Sequence, residues 1–209
     1  MPKIKNSFLN PTLFDDEYLV TSLRKKDLVK SLNLIKKDDT ILDFGAGKCH
    51  YKKLLEEKCK KFIKVDFQTD DFNEIDFVTD KNGKIPVKNK SIDMVYSLQV
   101  LEHVENLDLY IEACSKLLKP NGLMFTATLN RTFESYIKAI VGAEYVTRWL
   151  PIGTHDWNKF IKPDELKKKL EKYNFSIFDT EGVVYNTFLR QWKRSNDCAV
   201  NYIVTSIKH

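Results

Sequence analysis

Apolar residues along this chain fall into short runs of strand length, and polar turns and segments of helical spacing separate these runs. A strand followed by a helix and then another strand requires a crossover, so the alternation predicts a mostly parallel sheet with helices on both faces. The expected fold class is therefore α/β and Rossmann-like. The seven predicted strands lie at 41–44, 62–66, 75–78, 92–98, 123–129, 176–185 and 199–207.

Three helical segments flank this pattern. Residues 15–34 carry leucines at helical spacing and are expected to cover the ligand site, within an N-terminal region that ends near residue 38. A helical insert is predicted within 130–162, and a further helix opens at Pro163 with acids in its first turn. At 209 residues and 43% hydrophobic content, the chain is expected to form one domain over 1–209.

The first strand contains Asp43 and runs into a turn with glycine at positions 45 and 47. Glycine permits positive φ, so the backbone can approach a ligand, and the N–H groups of the next helix are free to donate. The second strand ends in Asp66, where a carboxylate could accept hydrogen bonds from a ribose. A nicotinamide dehydrogenase would need a third glycine where His50 stands. An ordinary strand-to-helix turn is the remaining alternative.

Two segments, Ser91 to Val104 and Leu117 to Phe125, resemble the fourth strand with its loop and the turn before the fifth strand of class I S-adenosylmethionine (SAM) methyltransferases. The resemblance implies SAM as cofactor and a helical insert after strand five. It also implies roles for residues of this chain: Asp43 steadies the glycine loop and the cationic methionine end, and Asp80 meets the adenine amino group. Asp80 could equally be a turn former. The implied cofactor-binding residues are Asp43, Gly45, Gly47, Asp66, Asp80 and Gln99.

The second half of the chain, residues 91–209, is similar to the ubiquinone-biosynthesis O-methyltransferases. The similarity rests on Thr128 to Thr132, Ala139 to Tyr145, Gly153 to Trp157, Lys159 to Pro163 and Val200 to Tyr202. It implies methylation of a catechol-type hydroxyl on a prenylated ring, at the membrane that holds this lipid. Members of the family that need a metal carry Glu at position 99. Gln99 offers one charged oxygen fewer beside Glu102 and His103, so no bound metal is expected.

Methyl transfer to oxygen needs a positioned hydroxyl and one proton acceptor. Neutral imidazole can accept a phenolic proton near neutral pH, which makes His103 and His155 candidates. His103 follows Glu102 and could instead be a structural loop residue. Asp156 could orient His155 or cap the following turn. The candidate catalytic residues are therefore His155, His103, Glu102 and Asp156.

The insert carries aromatic and branched side chains interleaved with Arg131, Lys138 and Arg148 over 131–150. Such a segment can lie in a membrane interface, could also form a lid over the substrate, or could bury its apolar stripe against its own domain. We expect peripheral membrane contact here. Its apolar members are Phe133, Tyr136, Ile137, Ile140, Val141, Tyr145, Trp149 and Leu150.

Charge and cysteine content narrow the class of protein. The net charge of +5 comes from lysines scattered among acids, which is typical of solvated helix surfaces. Ser97 to Val100 lacks the Asn/Asp-Pro-Pro-aromatic sequence that clamps a flipped base, so nucleic-acid methylation is disfavoured. Four cysteines without C-x-x-C spacing and the absence of an apolar leader favour a location in the cytoplasm. The membrane contact expected of the insert would place the protein at the inner membrane face.

Three hypotheses follow. The first is SAM-dependent O-methylation of a quinone precursor. The second is methylation of another small molecule or glycan precursor, and the third is SAM binding without turnover. The acceptor ring, the prenyl length and the oligomeric state are left open by the sequence.

Overall fold

The computed structural model describes residues 18–49, 51–67, 75–79, 85–186, 189 and 191–209. Within them one sheet has the strand order β3-β2-β1-β4-β5-β8-β6-β7. Strands β1 to β5 pair in parallel, and β6, β7 and β8 join antiparallel. The strands are β1 Thr40–Phe44, β2 Lys61–Asp66, β3 Phe77–Val78, β4 Ile92–Leu98, β5 Leu118–Leu129, β6 Phe175–Asn186, β7 Gln191–Ser195 and β8 Asn201–Lys208.

The Rossmann-like fold class is confirmed, with eight strands in place of seven. The additional strand is β7, which extends the sheet edge by pairing with β6 from Gly182 opposite Ser195 to Asn186 opposite Gln191. Its sequence, Gln-Trp-Lys-Arg-Ser, is short and mostly polar, because it is an edge strand with only one partly buried face. The pattern of hydrophobic residues therefore does not predict a strand at β7.

The helices are α1 Tyr18–Ser31, α2 Lys52–Glu56, α3 Leu107–Leu117, α4 Phe133–Ser135 and α5 Pro163–Lys172. They cover both faces of the sheet, as the alternation of elements predicted. One face packs α3 and α5 onto a cluster that includes Leu42, Val95 and Met124. The opposite face packs α1 and α2 onto Ile41, Tyr96 and other residues. Each fully buried aliphatic or aromatic side chain contributes about 1.5–3 kcal/mol.

The insert after β5 has an unusual conformation. Thr132 caps the N-terminus of α4. A π-helix over Tyr136–Val146 follows α4 directly, and a 3₁₀ turn lies further along at Trp157–Lys159. The N–H of Thr147 donates to the carbonyl of Gly142, five residues back, at 2.9 Å. A π-helix is rare and often marks a functional site because it changes which side chains share a face. In the described part of the chain no helix is both long enough and apolar enough to span a bilayer.

Candidate active site

The glycine turn lies where the carboxyl ends of β1, β2 and β4 meet. Gly45 and Gly47 have φ values of +70° and +52°, in the left-handed region that the sequence required. The N–H groups of Gly45 and Ala46 donate to the carbonyl of Val65 at 2.8 and 3.2 Å, which fixes the turn onto β2. A Cβ atom at Gly45 would overlap Cγ2 of Val100, so the turn also packs directly against the loop after β4.

Asp66 joins the end of β2 to this turn. Its Oδ2 accepts a hydrogen bond from the N–H of Gly47 at 2.8 Å, and Oδ1 accepts one from the N–H of Phe67 at 2.6 Å. Each carboxylate oxygen has a further lone pair, so a ribose diol can still donate to it. Asp66 therefore lies beside the glycine turn with free acceptor capacity, and its ribose-binding role stays a prediction. Asp80 lies outside the described residues.

Asp43 is fully buried under the turn. Its Oδ2 accepts a hydrogen bond from the hydroxyl of Tyr51 at 2.5 Å, and its Oδ1 is buried without a hydrogen-bond partner. Burial raises the pKa of Asp43 to about 7, although the Tyr51 hydrogen bond and Arg24 oppose the shift. A buried oxygen of this kind requires a donor, and a bound ligand can supply it.

Arg24 is a candidate site residue that the sequence did not reveal. It lies on α1, and its Nη1 is 3.7 Å from where a Cβ of Gly47 would stand. A guanidinium beside the glycine turn is suited to a carboxylate. Together, the carboxylate of Asp66 with free acceptor capacity, the unpartnered buried oxygen of Asp43 and this cation fit SAM, which supplies an electrophilic methyl group on a sulfonium. The helical pattern of α1 gave no chemical signal that could have identified Arg24.

The loop after β4 brings polar side chains to the same edge of the sheet. Gln99 adopts a φ of +59°, and its Nε2 is buried without a hydrogen-bond partner. Glu102 is 3% exposed and accepts a hydrogen bond from Oγ1 of Thr128 at 2.7 Å, while burial raises its pKa. Burial lowers the pKa of His103, and the charge of Glu102 opposes this shift. The loop therefore presents an amide, a carboxyl and an imidazole.

His155 reaches this loop from the insert. Its ring stacks on that of His103, with 5.9 Å between the centroids and 26° between the planes. Its Nδ1 lies 3.0 Å from Oε1 of Glu144, which also accepts the N–H of His155 at 2.9 Å. Glu144 lies in the π-helix and is 1% exposed. Its Oε2 accepts a hydrogen bond from the N–H of Gly153 at 2.7 Å. The buried Glu144 and the partly buried His155 thus form a carboxyl–imidazole dyad.

The carboxyl partner of His155 is therefore Glu144. Of the two roles considered for Asp156, the structure shows capping. Its Oδ1 accepts a hydrogen bond from the N–H of Asn158 at 3.0 Å, at the start of the 3₁₀ turn. The sequence did not reveal Glu144, because it lies eleven residues before His155, in a different element of the insert. Burial lowers the pKa of His155 and the Glu144 hydrogen bond raises it, with burial the larger effect.

Comparison with known proteins agrees with this geometry. A family model described as a methyltransferase domain matches residues 18–180. The chain is 38% identical over 205 residues to the ubiquinone biosynthesis O-methyltransferase of Pelagibacter ubique (strain HTCC1062), covering 92% of this chain and 84% of that protein. It is 48% identical over 130 residues to the ubiquinone biosynthesis O-methyltransferase of Bartonella bacilliformis, covering 62% of this chain and 52% of that protein. The chain thus spans about half the length of several relatives that it matches.

Among solved structures, a SAM-dependent methyltransferase from Archaeoglobus fulgidus superimposes with a TM-score of 0.67, 17% identity, and coverage of 93% of this chain and 95% of that one. At this identity the likeness shows the fold. The fold and the family match define a SAM-dependent methyltransferase. More narrowly, the chain belongs to the family of the ubiquinone biosynthesis O-methyltransferases. The similarity to that family extends over 92% of the chain and is not confined to residues 91–209.

Replacing Asp66 by Ala is expected to raise the Kd for SAM by about 10- to 100-fold, because hydrogen bonds to a charged group contribute about 1.5–3 kcal/mol. The rate at saturating SAM should change little, since ribose contacts are the same in the ground and transition states. Calorimetry and steady-state kinetics measure the two quantities. Asp38→Ala, at an exposed position, is the control. A slow enzyme with normal SAM affinity would contradict the role given to Asp66.

Proposed function

We propose that this protein transfers the methyl group of SAM to a catechol-type hydroxyl of a ubiquinone precursor. Relatives with 38% and 48% identity carry the name ubiquinone biosynthesis O-methyltransferase. The observation in this chain that supports the proposal most is the dyad of Glu144 and His155, because transfer to a hydroxyl requires a proton acceptor and this pair is suited to that task.

The chemistry is an in-line displacement. The hydroxyl oxygen forms a bond to the methyl carbon while the carbon–sulfur bond breaks, and the electron pair of that bond stays on sulfur. The hydroxyl proton moves to a base. If Nδ1 of His155 donates to Glu144, its Nε2 carries a free lone pair and can accept that proton. Because burial lowers the pKa of His155, the imidazole is neutral at neutral pH and ready to act as a base.

The test is an assay of the purified protein with SAM and 4-methylcatechol, with 4-methylphenol as the comparison. We expect a singly methylated product from the catechol and formation of S-adenosylhomocysteine in equal amount. SAM binding without methylation of any phenolic acceptor would favour the third hypothesis, a SAM-binding protein without turnover. Methylation of non-phenolic hydroxyls alone would favour the second, a methyltransferase for another small molecule or glycan precursor.

Activity is expected to survive chelation, because Gln99 stands where a metal-requiring relative would carry a carboxylate and hard cations prefer charged oxygens. The measurement is the methylation rate before and after dialysis against EDTA. Complete loss of activity that added magnesium restores would show that Glu102 and His103 recruit an ion without that carboxylate.

We further propose that the insert contacts a membrane, which would place the protein at the inner membrane face. Several of its apolar side chains face solvent: Phe133 is 77% exposed, Val146 73%, Tyr145 55% and Trp149 52%. Other members pack inward, since Ile140 belongs to a small buried cluster with Leu129 and Phe160. The insert thus has one anchored and one exposed apolar side, as an interfacial helix requires.

Replacing Tyr145 and Trp149 together by Ser is expected to weaken binding to vesicles containing anionic lipid by about tenfold, because interfacial affinity grows with buried apolar area. Turnover of a long-tailed catechol should fall, while that of 4-methylcatechol should stay unchanged. Vesicle co-sedimentation and the two assays measure these effects. Phe178→Ser is a matched control, since that exposed residue lies on β6, outside the insert. Equal loss of both activities would assign the pair to the domain's own packing.

A further inference from the structure

One side-chain hydrogen bond spans the glycine turn and has no part in the chemistry above. Asp43 lies near the end of β1, before the turn, and Tyr51 lies after the turn, directly before α2. The hydroxyl of Tyr51 donates to Oδ2 of Asp43 at 2.5 Å. The Tyr51 ring is 2% exposed and belongs to a buried cluster with Ile41 and Leu55. The bond therefore ties the strand before the turn to the helix after it.

Asp43 can act on the turn through its charge. It is fully buried, and it is close enough to Arg24 and Asp66 for the charge of each to affect its pKa. Those two side chains flank the same turn: Asp66 accepts the N–H of Gly47 at 2.8 Å, and Nη1 of Arg24 is 3.7 Å from where a Cβ of Gly47 would stand. Because a buried charge is only weakly screened, a negative Asp43 favours a cation bound at this turn.

Burial works against that charge, and Tyr51 works for it. Burial raises the pKa of Asp43 to about 7, and the hydrogen bond from Tyr51 is the largest of the effects that oppose this shift. A carboxylate is a stronger acceptor than a protonated carboxyl, so a donor favours the ionised form. Cys49 also approaches Oδ2 of Asp43, but at 3.9 Å and with a weakly donating thiol. Tyr51 thus has the larger influence on how much carboxylate is present near neutral pH.

We infer that Tyr51 is a positioning residue for SAM, which holds Asp43 in place as a carboxylate so that its negative charge favours the cationic cofactor at the glycine turn. Tyr51 is buried and acts through Asp43. No bond is made or broken at this pair. The inference rests on SAM binding at the glycine turn and does not depend on the identity of the acceptor.

The inference predicts that SAM affinity depends on pH. The charged and titratable groups that face Asp43 are Arg24 on α1, Asp66 at the end of β2, Cys49 and Tyr51 between β1 and α2, Tyr96 on β4 and Tyr110 on α3. Burial raises the pKa of all three tyrosines, so they stay neutral at pH 6 to 8.5. Asp43 ionises within this range. SAM affinity should therefore rise by about tenfold between pH 6 and pH 8.

Replacing Tyr51 by Phe removes one oxygen atom and keeps the buried ring. We expect the Kd for SAM to rise by about 5- to 50-fold at pH 7, because loss of a hydrogen bond to the carboxylate raises the pKa of Asp43 further and leaves it protonated. At pH 8.5, where more of the carboxyl is ionised, the rise should be less than about fivefold. Calorimetry of the full chain with SAM measures both values.

Tyr202→Phe is the matched control. Tyr202 is also fully buried, and its hydroxyl donates to the carbonyl of Ile161 at 2.8 Å, so the same atom is lost from a hydrogen bond to a neutral acceptor. Its SAM affinity should follow the parent's at both pH values. Asp43→Asn should remove the rise in affinity between pH 6 and pH 8. Adding Tyr51→Phe to Asp43→Asn should then change the Kd by less than about twofold, because Tyr51 acts through the carboxylate.

A Tyr51→Phe defect of the same size at pH 7 and pH 8.5 would overturn the inference, and so would additive effects of the two substitutions, since either result assigns Tyr51 to packing alone. If Tyr51→Phe does not fold, Asp43→Asn gives the decision, because a rise in affinity with pH that persists in it would overturn the inference as well.

These measurements need no acceptor, so they separate this inference from the proposed function. A protein that shows the expected pH dependence of SAM binding but methylates no catechol would refute the proposed function and retain the role of Tyr51. A protein that methylates the catechol and binds SAM equally well at pH 6 and pH 8 would do the reverse.

Discussion

Replacing Gly45 by Ala is expected to abolish measurable SAM binding. The new side chain would have to adopt a φ of +70°, which costs an L residue about 1 kcal/mol. Its Cβ would also overlap Cγ2 of Val100, so the turn or the loop after β4 must shift. That shift would move the donors of the turn and Gln99 together. Calorimetry with SAM measures the loss, which we expect to exceed about 100-fold in Kd.

Gly153→Ala separates the two causes. Gly153 has a φ of +86°, so its backbone strain is similar, but nothing lies within 4 Å of the Cβ position. It should therefore lose about 1 kcal/mol of stability and keep its SAM affinity. Similar loss of SAM binding in both variants would mean that strain, and not contact with Val100, governs the turn.

Replacing Glu144 by Gln is expected to lower kcat by about 10- to 100-fold with an unchanged Kd for SAM. A general base accelerates the reaction by about 10²- to 10⁴-fold, and this acceleration depends on how Glu144 orients the imidazole of His155. Glu144 accepts hydrogen bonds from the N–H groups of Gly153 and His155 and from the imidazole. An amide can keep some of these contacts but loses the charge that favours the imidazolium. The measurement is single-turnover methylation of 4-methylcatechol.

The pH profile of this variant distinguishes a catalytic role from a structural one. The Glu144 hydrogen bond raises the pKa of His155, so its loss should lower that pKa. The acid limb of the rate profile, where His155 becomes protonated and inactive, should then move to lower pH. Glu134→Gln is the control, since Glu134 is exposed in the same insert and pairs with Lys138. An unshifted acid limb would show that His155 is not the proton acceptor.

Much of the cofactor side of the site could be predicted from the sequence, because local patterns determine it. A strand, a glycine pair and a strand ending in Asp66 are contiguous signals, and parallel strands bring their carboxyl ends together. Arg24 and Glu144 could not be found in this way. Arg24 lies on a helix that covers the sheet and Glu144 lies in the insert, and in both places a buried charged residue is indistinguishable from a solvated one until the packing is known. The π-helix also changes the face that carries Glu144, which no 3.6-residue pattern anticipates.

The contact between α1 and β7 has a consequence for biosynthesis. During translation α1 is made before β1 to β6, whereas β7 is made after them, and β8, which pairs with both β5 and β6, follows β7. A domain can fold only when the residues of its long-range contacts have all been made. A contact with a segment that is synthesised late therefore delays folding. The contact between α1 and β7 therefore completes the fold late, whereas the packing of α1 on Ile41 and Tyr96 can form as soon as β4 has been made.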